Sequence, residues 1–374
     1  MKHFVLITGG AGFVGTNLAH RYLSEGIPVR LYDNFSRAGV EGNARWLQET
    51  HGDLVQVEAA DVRDASHLRE SVRGATKVFH LAAQVAVTTS LTDPIADFEV
   101  NARGTLNVLE AVRACADPPP LVFTSTNKVY GGLTDVALRV RDCRYEPEDQ
   151  AVRTYGIGET RALDFHSPYG CSKGAADQYV LDYARTYDLP AAVFRMSCIY
   201  GPHQFGTEDQ GWVAHFLIQA QCGRPITLYG DGMQVRDILY AEDLVNALRL
   251  AQDRMSDLLG QAFNIGGGAE NSISLLNLLA LIRDMGGDAP DIRFEDWRPG
   301  DQRYYVSDTR KFGEVTGWTP TVSASNGIGR LGRWLRENRS GSRRERLLEE
   351  VAACAIPCEL RLSPRRARSR LSKR

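Results

Sequence analysis

The chain has 374 residues, 43% of them hydrophobic and 24% charged, with 35 glycines and a formal net charge of -2. That balance belongs to a globular protein of one large domain or two and excludes a chain disordered throughout. The charge is unevenly spread: residues 340–374 hold ten Arg or Lys against four Glu, so the remaining body is mildly acidic and nucleic acid is not an expected partner.

The seven cysteines are odd in number and scattered, apart from a loose Cys354-x-x-x-Cys358 pair, so reduced thiols and no metal site are expected. The first apolar run, Phe4 to Ile7, breaks at Gly9, too short for a signal segment, and no later run reaches membrane-spanning length. A cytoplasmic protein with no membrane partner is expected.

In chain order, strand-like and helical runs alternate: His3 to Thr8, Phe13 to Ser24, Val29 to Tyr32, Ala44 to Glu49, Leu54 to Val57, Ser66 to Val72, Lys77 to Leu81, a helix near Asn101 to Ala114, and Leu121 to Ser125. The strand runs are apolar throughout, as when helices cover both faces of a parallel sheet. The fold class read from this is α/β, a doubly wound parallel sheet, with a smaller C-terminal substrate-binding lobe. Residues 132–166 mix Gly, Pro, Asp, Glu and Arg without a period and read as a long loop near the active site. Ala176, Val180, Tyr183, Ala184 and Tyr187 then recur at helical spacing, and Ala191 to Met196 reads as another buried strand. From Gly201 the chain is loop-rich, with short elements near Trp212 to Gln221, Ile226 to Tyr229, Asp243 to Ala251, Ala262 to Ile265 and Ser274 to Met285. The expected division is a dinucleotide-binding domain over 1–200, a mainly substrate-binding lobe over 201–339 from which some elements return to the first domain, and a disordered basic tail over 340–374.

Three sets of residues carry chemistry. In Thr8-Gly9-Gly10-Ala11-Gly12-Phe13-Val14-Gly15, between a strand and a helix, Gly9 permits the tight turn, Gly12 a close approach to a pyrophosphate, and Gly15 close helix packing. The anion would meet free amides at the helix start. About 20 residues on, Asp33 can accept both ribose hydroxyls and repel a 2'-phosphate, favouring NAD, while Arg37 leaves NADP open. Asp61 and Val62 follow the third strand, where an adenine edge could be held; a helix cap before Ala65 is the alternative for Asp61. Small residues in Leu81-Ala82-Ala83-Gln84 let a cofactor lie close, and Asn101 either anchors that loop or caps a helix. Thr124, Ser125 and Thr126 end a buried strand where open α/β sheets bind ligands. Finally, Tyr169 and Lys173 stand four apart on a predicted helix, so the ammonium can approach the phenol and favour its phenolate.

Those motifs resemble the extended short-chain dehydrogenase/reductase superfamily, in its NAD-dependent epimerase/dehydratase family, over roughly residues 2–339. The longer strings Ser125 to Gly131, Asp164 to Tyr179 and Asp209 to Val213 look like one branch of its nucleotide-sugar epimerases. The resemblance implies Tyr169 as catalytic acid and base, Lys173 lowering its pKa and holding the nicotinamide ribose, and Thr126 binding the reacting hydroxyl with Ser125 behind it. It places Gly9, Gly12, Phe13, Val14, Asp33, Asn34, Asp61, Val62, Ala82, Gln84 and Arg195 against NAD. It places Gln84, His166, Ser197, Gln204, Gln210, Gln234, Arg236 and Arg303 against a nucleotide sugar, a CDP-sugar being favoured, with the two arginines as diphosphate clamps. A homo-oligomer, dimer or tetramer, is implied as well. Dehydratases of the superfamily carry Asp-Glu after the catalytic Thr; Asn127-Lys128 stands here, which disfavours loss of water.

The implied activity is epimerisation: transient oxidation to a keto sugar, then return of the hydride to the other face. A UDP-hexose 4-epimerase is the alternative within the superfamily. A non-catalytic NAD-sensing protein is the alternative outside it.

Overall fold

The computed structural model describes residues 3–286 and 290–338. The expected basic tail, with Cys354 and Cys358, lies outside the described residues.

Seven parallel strands form the central sheet: β1 (Phe4–Thr8), β2 (Val29–Asp33), β3 (Val55–Ala59), β4 (Ala75–His80), β5 (Leu121–Thr126), β6 (Ala191–Met196) and β7 (Ala262–Ile265), in the spatial order 3-2-1-4-5-6-7. Their apolar runs follow from burial on both faces; all of β1 and all of β5 is buried. On one face lie the helices Phe13–Ser24 and Ala241–Asp253, through Leu18, Ala19, Leu244 and Leu248. On the other lie Gly104–Arg113 and Ser167–Tyr187, through Val108, Val112, Ala176 and Val180. The strand order reverses between β1 and β4, and the C-terminal ends of both open into the crevice where such sheets take ligands.

The second half of the chain is shared between two bodies. β7 returns to the large sheet beside β6, and Phe312 and Trp318 join its core. A separate small sheet joins Cys198–Tyr200, Val235–Tyr240, Ser272–Ser274 and Tyr304–Tyr305, covered by Trp212–Gln221, Leu275–Asp284 and Ala324–Glu337.

Two expectations are corrected. Residues 132–166 are not one long loop: they contain the antiparallel hairpin Leu138–Arg141 and Arg144–Pro147 and the helix Gln150–Tyr155. The hairpin's strands are short and half-solvated, so they lack an apolar period; tertiary contacts such as the Tyr145 amide on the Met233 carbonyl hold them. Tyr187, expected on the buried helical face, is 49% exposed, because the helix runs past the edge of the core in its last turn.

Candidate active site

The glycine turn leaves β1 and enters the helix Phe13–Ser24. Gly9 adopts φ +68°, and a Cβ there would stand 2.8 Å from the Ala82 amide nitrogen; one on Gly15 would stand 2.4 Å from the Gly9 carbonyl oxygen. The turn is therefore closed to side chains at both positions. The helix opens at Gly12 with no side-chain cap and no acidic residue in its first turn, which leaves its amides for an anion. Asp33, at the end of β2, accepts from the Ala11 amide at 3.0 Å and the Phe35 amide at 2.9 Å. Burial raises its carboxyl while those amides pull it down. Each oxygen retains acceptor capacity for a ribose hydroxyl.

Asp61 accepts from Asn34 at 2.8 Å and from Arg63, which holds it well below the usual carboxylate range. It does not cap the following helix; Asp64 does, accepting the Ser66 and His67 amides. Val62 packs behind it, in the space left by Gly104. Arg37 turns away from the β2 end, donating to Gln210 Oε1 and to the Phe205 carbonyl at 3.4 Å.

After β4, the segment Leu81-Ala82-Ala83-Gln84 is held by Asn101, which accepts the Gln84 amide at 2.9 Å and donates to the Gln84 carbonyl at 3.0 Å. Asn101 can do so because Glu99–Arg103 forms a π-helical turn, a widened winding that turns a side chain off the regular helical face. It anchors the loop and caps no helix. Asp97, 1% exposed, gathers the same region: its carboxylate accepts from Ser172 at 2.5 Å, Gln84 at 2.8 Å and Asn101 at 3.1 Å. Nothing in the sequence marked it, since its role needs three segments to meet. With its amide group on Asp97 and Ala86, Gln84 is committed to shaping the loop.

Beside this loop stand the strand end and the helix Ser167–Tyr187. Thr126 caps the turn Asn127–Tyr130, accepting the Lys128 amide at 3.2 Å. Ser125 Oγ is buried with no hydrogen-bond partner, and the Thr124 hydroxyl donates to the His80 carbonyl at 3.3 Å. Tyr169 is buried next to Thr126, and the Ser90 hydroxyl accepts its amide at 3.2 Å. The expected depression of the phenol by Lys173 is not what the protein's own groups produce. Burial pushes Tyr169 up to about 12, with the Thr126 hydroxyl opposing and Asp97 adding to the rise. Lys173 Nζ donates to the Thr124 carbonyl at 2.7 Å and lies over the Phe123 ring at 4.1 Å. Burial lowers it to about 7 against the carboxylates of Asp177 and Asp97. Desolvation penalises both charged forms, and it outweighs the expected attraction.

The remaining predicted positions divide. Arg195, in β6, is closed into a bidentate pair with Asp177, 2.9 Å on each arm, and donates to the Tyr130 hydroxyl at 3.1 Å, so its guanidinium is engaged inside the sheet layer. His166 faces Asp164 at 3.0 Å, and Ser197 donates to Asp237. Gln204 and Gln234 each donate to a backbone carbonyl and keep a buried Oε1 without a partner. Arg236 is buried, and Arg303 stacks between Tyr145 and Trp297 at 5.6 and 5.5 Å. Among the described residues, no group of three His, Cys, Asp or Glu could hold a metal ion, and the five cysteines are free.

The sequence profile of the NAD dependent epimerase/dehydratase family matches residues 5–266. The chain belongs to the NAD-dependent epimerase/dehydratase family. It is 43% identical over 343 residues to a CDP-paratose 2-epimerase of Salmonella typhi, covering 88% of this chain and 98% of that one. Among solved structures, a Thermus thermophilus UDP-glucose 4-epimerase in complex with NAD is 31% identical, with TM-score 0.73, covering 89% of this chain and 98% of that one. A Bacillus cereus UDP-glucuronic acid 4-epimerase in complex with UDP-glucuronic acid and NAD is 26% identical, with TM-score 0.77, covering 90% and 100%.

The site agrees with the family's cofactor: a glycine cradle that a Cβ would fill, a helix start without a cap, and an orphaned Ser125 hydroxyl near the C-terminal end of β5 all suit NAD.

Proposed function

We propose that the enzyme epimerises a nucleotide sugar, converting CDP-paratose to CDP-tyvelose by inversion at C2. The near end-to-end likeness to a CDP-paratose 2-epimerase carries this reading. The turn after Thr126 supports it: the two residues that follow are Asn127, which binds Gln302, and Lys128, which binds Gly300, so neither carries a carboxylic acid to expel a hydroxyl as water.

In this reading Gly9, Gly12, Phe13, Val14, Gly15 and Asp33 hold the pyrophosphate and adenosine ribose. NAD held there would supply reversible hydride transfer at the sugar carbon, the chemistry that inversion through a keto sugar needs. Tyr169 takes the hydroxyl proton as the carbonyl forms and gives it back on reduction. Thr126 orients the reacting oxygen, and Lys173, four residues further along the same helix with Nζ on the Thr124 carbonyl, holds the nicotinamide ribose. A phenol at about 12 keeps its proton at neutral pH, so it becomes a base only when positive charge is brought close to it. Buried Asp97 positions Tyr169 through Ser172 on the same helix.

Incubation with CDP-paratose in deuterated water, read by NMR at the anomeric and C2 signals, tests the assignment. Conversion with the original hydrogen kept at C2 is expected. Solvent deuterium at C2 would mean enolisation, and inversion at C4 of a UDP-hexose alone would move the enzyme to the 4-epimerases.

We also infer a homo-oligomer. Ile95 and Phe98, on the helix Pro94–Phe98, are 75% and 53% exposed, and Tyr179, on the helix Ser167–Tyr187, is 45% exposed. Apolar side chains this exposed favour burial against a second copy. Light scattering of the purified protein reads the mass directly.

A further inference from the structure

Lys128 follows Thr126 by two residues, and its side chain turns inward, 19% exposed. Nζ donates to the Gly300 carbonyl at 3.0 Å and lies 3.7 Å from the Asp301 carboxylate. Burial and the neighbouring Arg236 guanidinium lower its pKa to about 8, against the pull of Asp301. Arg236, on the strand Val235–Tyr240, is 8% exposed and donates to the carbonyl of its own neighbour Val235. Among the described residues it forms no ion pair. Half-buried Lys128 and buried Arg236 thus lie within electrostatic reach of each other, with the Asp301 carboxylate beside Lys128 and no ion pair on Arg236 among the described residues, an arrangement that leaves positive charge in excess. A bound anion would relieve it.

Substrate geometry says which anion. In a sugar nucleotide the diphosphate is attached at C1, so C2 is next to the phosphate-bearing carbon, whereas C4 lies across the ring. An enzyme that presents C2 to Thr126 and Tyr169 therefore brings the sugar-linked phosphate close to the turn that follows Thr126. One that presents C4 holds that phosphate a ring-width away. We propose that Lys128 is a specificity-determining residue: with Arg236 it seats the sugar-linked phosphate beside Thr126, and so sets C2 rather than C4 against Tyr169. This rests on the C2 assignment above.

The test compares CDP, which carries that phosphate, with CMP, which lacks it. Calorimetry on the NAD-loaded wild type and on Lys128→Met and Lys128→Gln measures each affinity. A charge-assisted contact predicts a loss of about tenfold or more for CDP in both variants, with CMP within about twofold of wild type. Lys128→Arg should recover most of the CDP affinity. Lys128→Gln retains a donor for the Gly300 carbonyl, so it separates loss of charge from loosening of the 297–303 segment. Equal losses for CDP and CMP, or no loss for either, overturn the proposal. Wild-type turnover is read separately: inversion at C2 together with unchanged CDP affinity in the variants sinks the role of Lys128 alone. Inversion at C4 removes the setting of C2, whatever the variants bind.

Discussion

The Arg37 guanidinium donates to the side-chain carbonyl of Gln210, joining positions 173 apart. One was read from the sequence as a cofactor residue and the other as a substrate residue, and they bind each other. From the opposite side, Arg298 donates to the Glu208 carbonyl at 3.0 Å, faces Asp209 at 3.4 Å and stacks on Tyr229 at 3.6 Å. The segment 205–210 is therefore strapped between Arg37, which follows β2, and Arg298. Arg37→Ala should loosen it, speeding proteolytic cleavage within 205–210 and raising KM for the sugar nucleotide about tenfold, the scale of one hydrogen bond to a charged group. Unchanged KM and cleavage together would show that the strap plays no part in binding.

Tyr169→Phe removes the phenolic oxygen from a ring that is buried against Thr126. Turnover should fall at least about a hundredfold, as expected for loss of a general acid and base, while the melting temperature barely moves. A variant that keeps most of its turnover would exclude Tyr169 as the proton carrier.

Arg195 and Asp177 form an ion pair that is almost fully enclosed, with side chains 5% and 0% exposed. Arg195→Met leaves the Asp177 carboxylate without its partner and should cost about 3–5 kcal/mol of unfolding free energy in urea titration. The same change in both partners, Arg195→Met with Asp177→Leu, should restore much of that loss. If the single variant is as stable as wild type, the pair is not structural.

His80 is buried between the hydroxyls of Thr8 at 2.7 Å and Thr105 at 2.9 Å, and burial together with the Lys173 charge holds it down to about 3. Between its ordinary value of 6.5 and that folded value, the unfolded chain binds a proton at His80 that the folded chain does not. Acidification through this window therefore favours unfolding, by up to about 1.4 kcal/mol per pH unit. Denaturation curves at pH 7 and pH 5 should show a smaller pH-dependent loss for His80→Gln than for wild type. Equal slopes would mean that His80 takes up no proton on unfolding.

Much of the sheet was legible because most strands carry a short, largely apolar run, and β1, β2, β5 and β6 fell within a residue or so of their predicted bounds; the edge strand β3, with Gln56 and Glu58 half-buried, is the exception to the apolar pattern. The hairpin in 132–166 was not, since its strands are held by Met233 and other partners far along the chain. Asp97 went unnoticed for a similar reason: an acidic residue in a short helix has no local pattern that announces three donors arriving from Gln84, Asn101 and Ser172. Lys128 was noticed only as the absence of an acid, because its neighbour Arg236 is more than a hundred residues away.

By itself the chain determined the strand-turn-helix glycine cradle, the Asp33 carboxylate at the next strand end and the i, i+4 pairing of Tyr169 with Lys173, because each depends on spacing within one element or between neighbours. Tertiary structure alone decided the charge states and partners: the raised phenol, the lowered ammonium, the closed Arg195–Asp177 pair, the Arg37–Gln210 strap and the electrostatic nearness of Lys128 to Arg236. Desolvation and Coulomb energies depend on how deeply a group is buried and on what stands beside it in space, and sequence spacing carries neither.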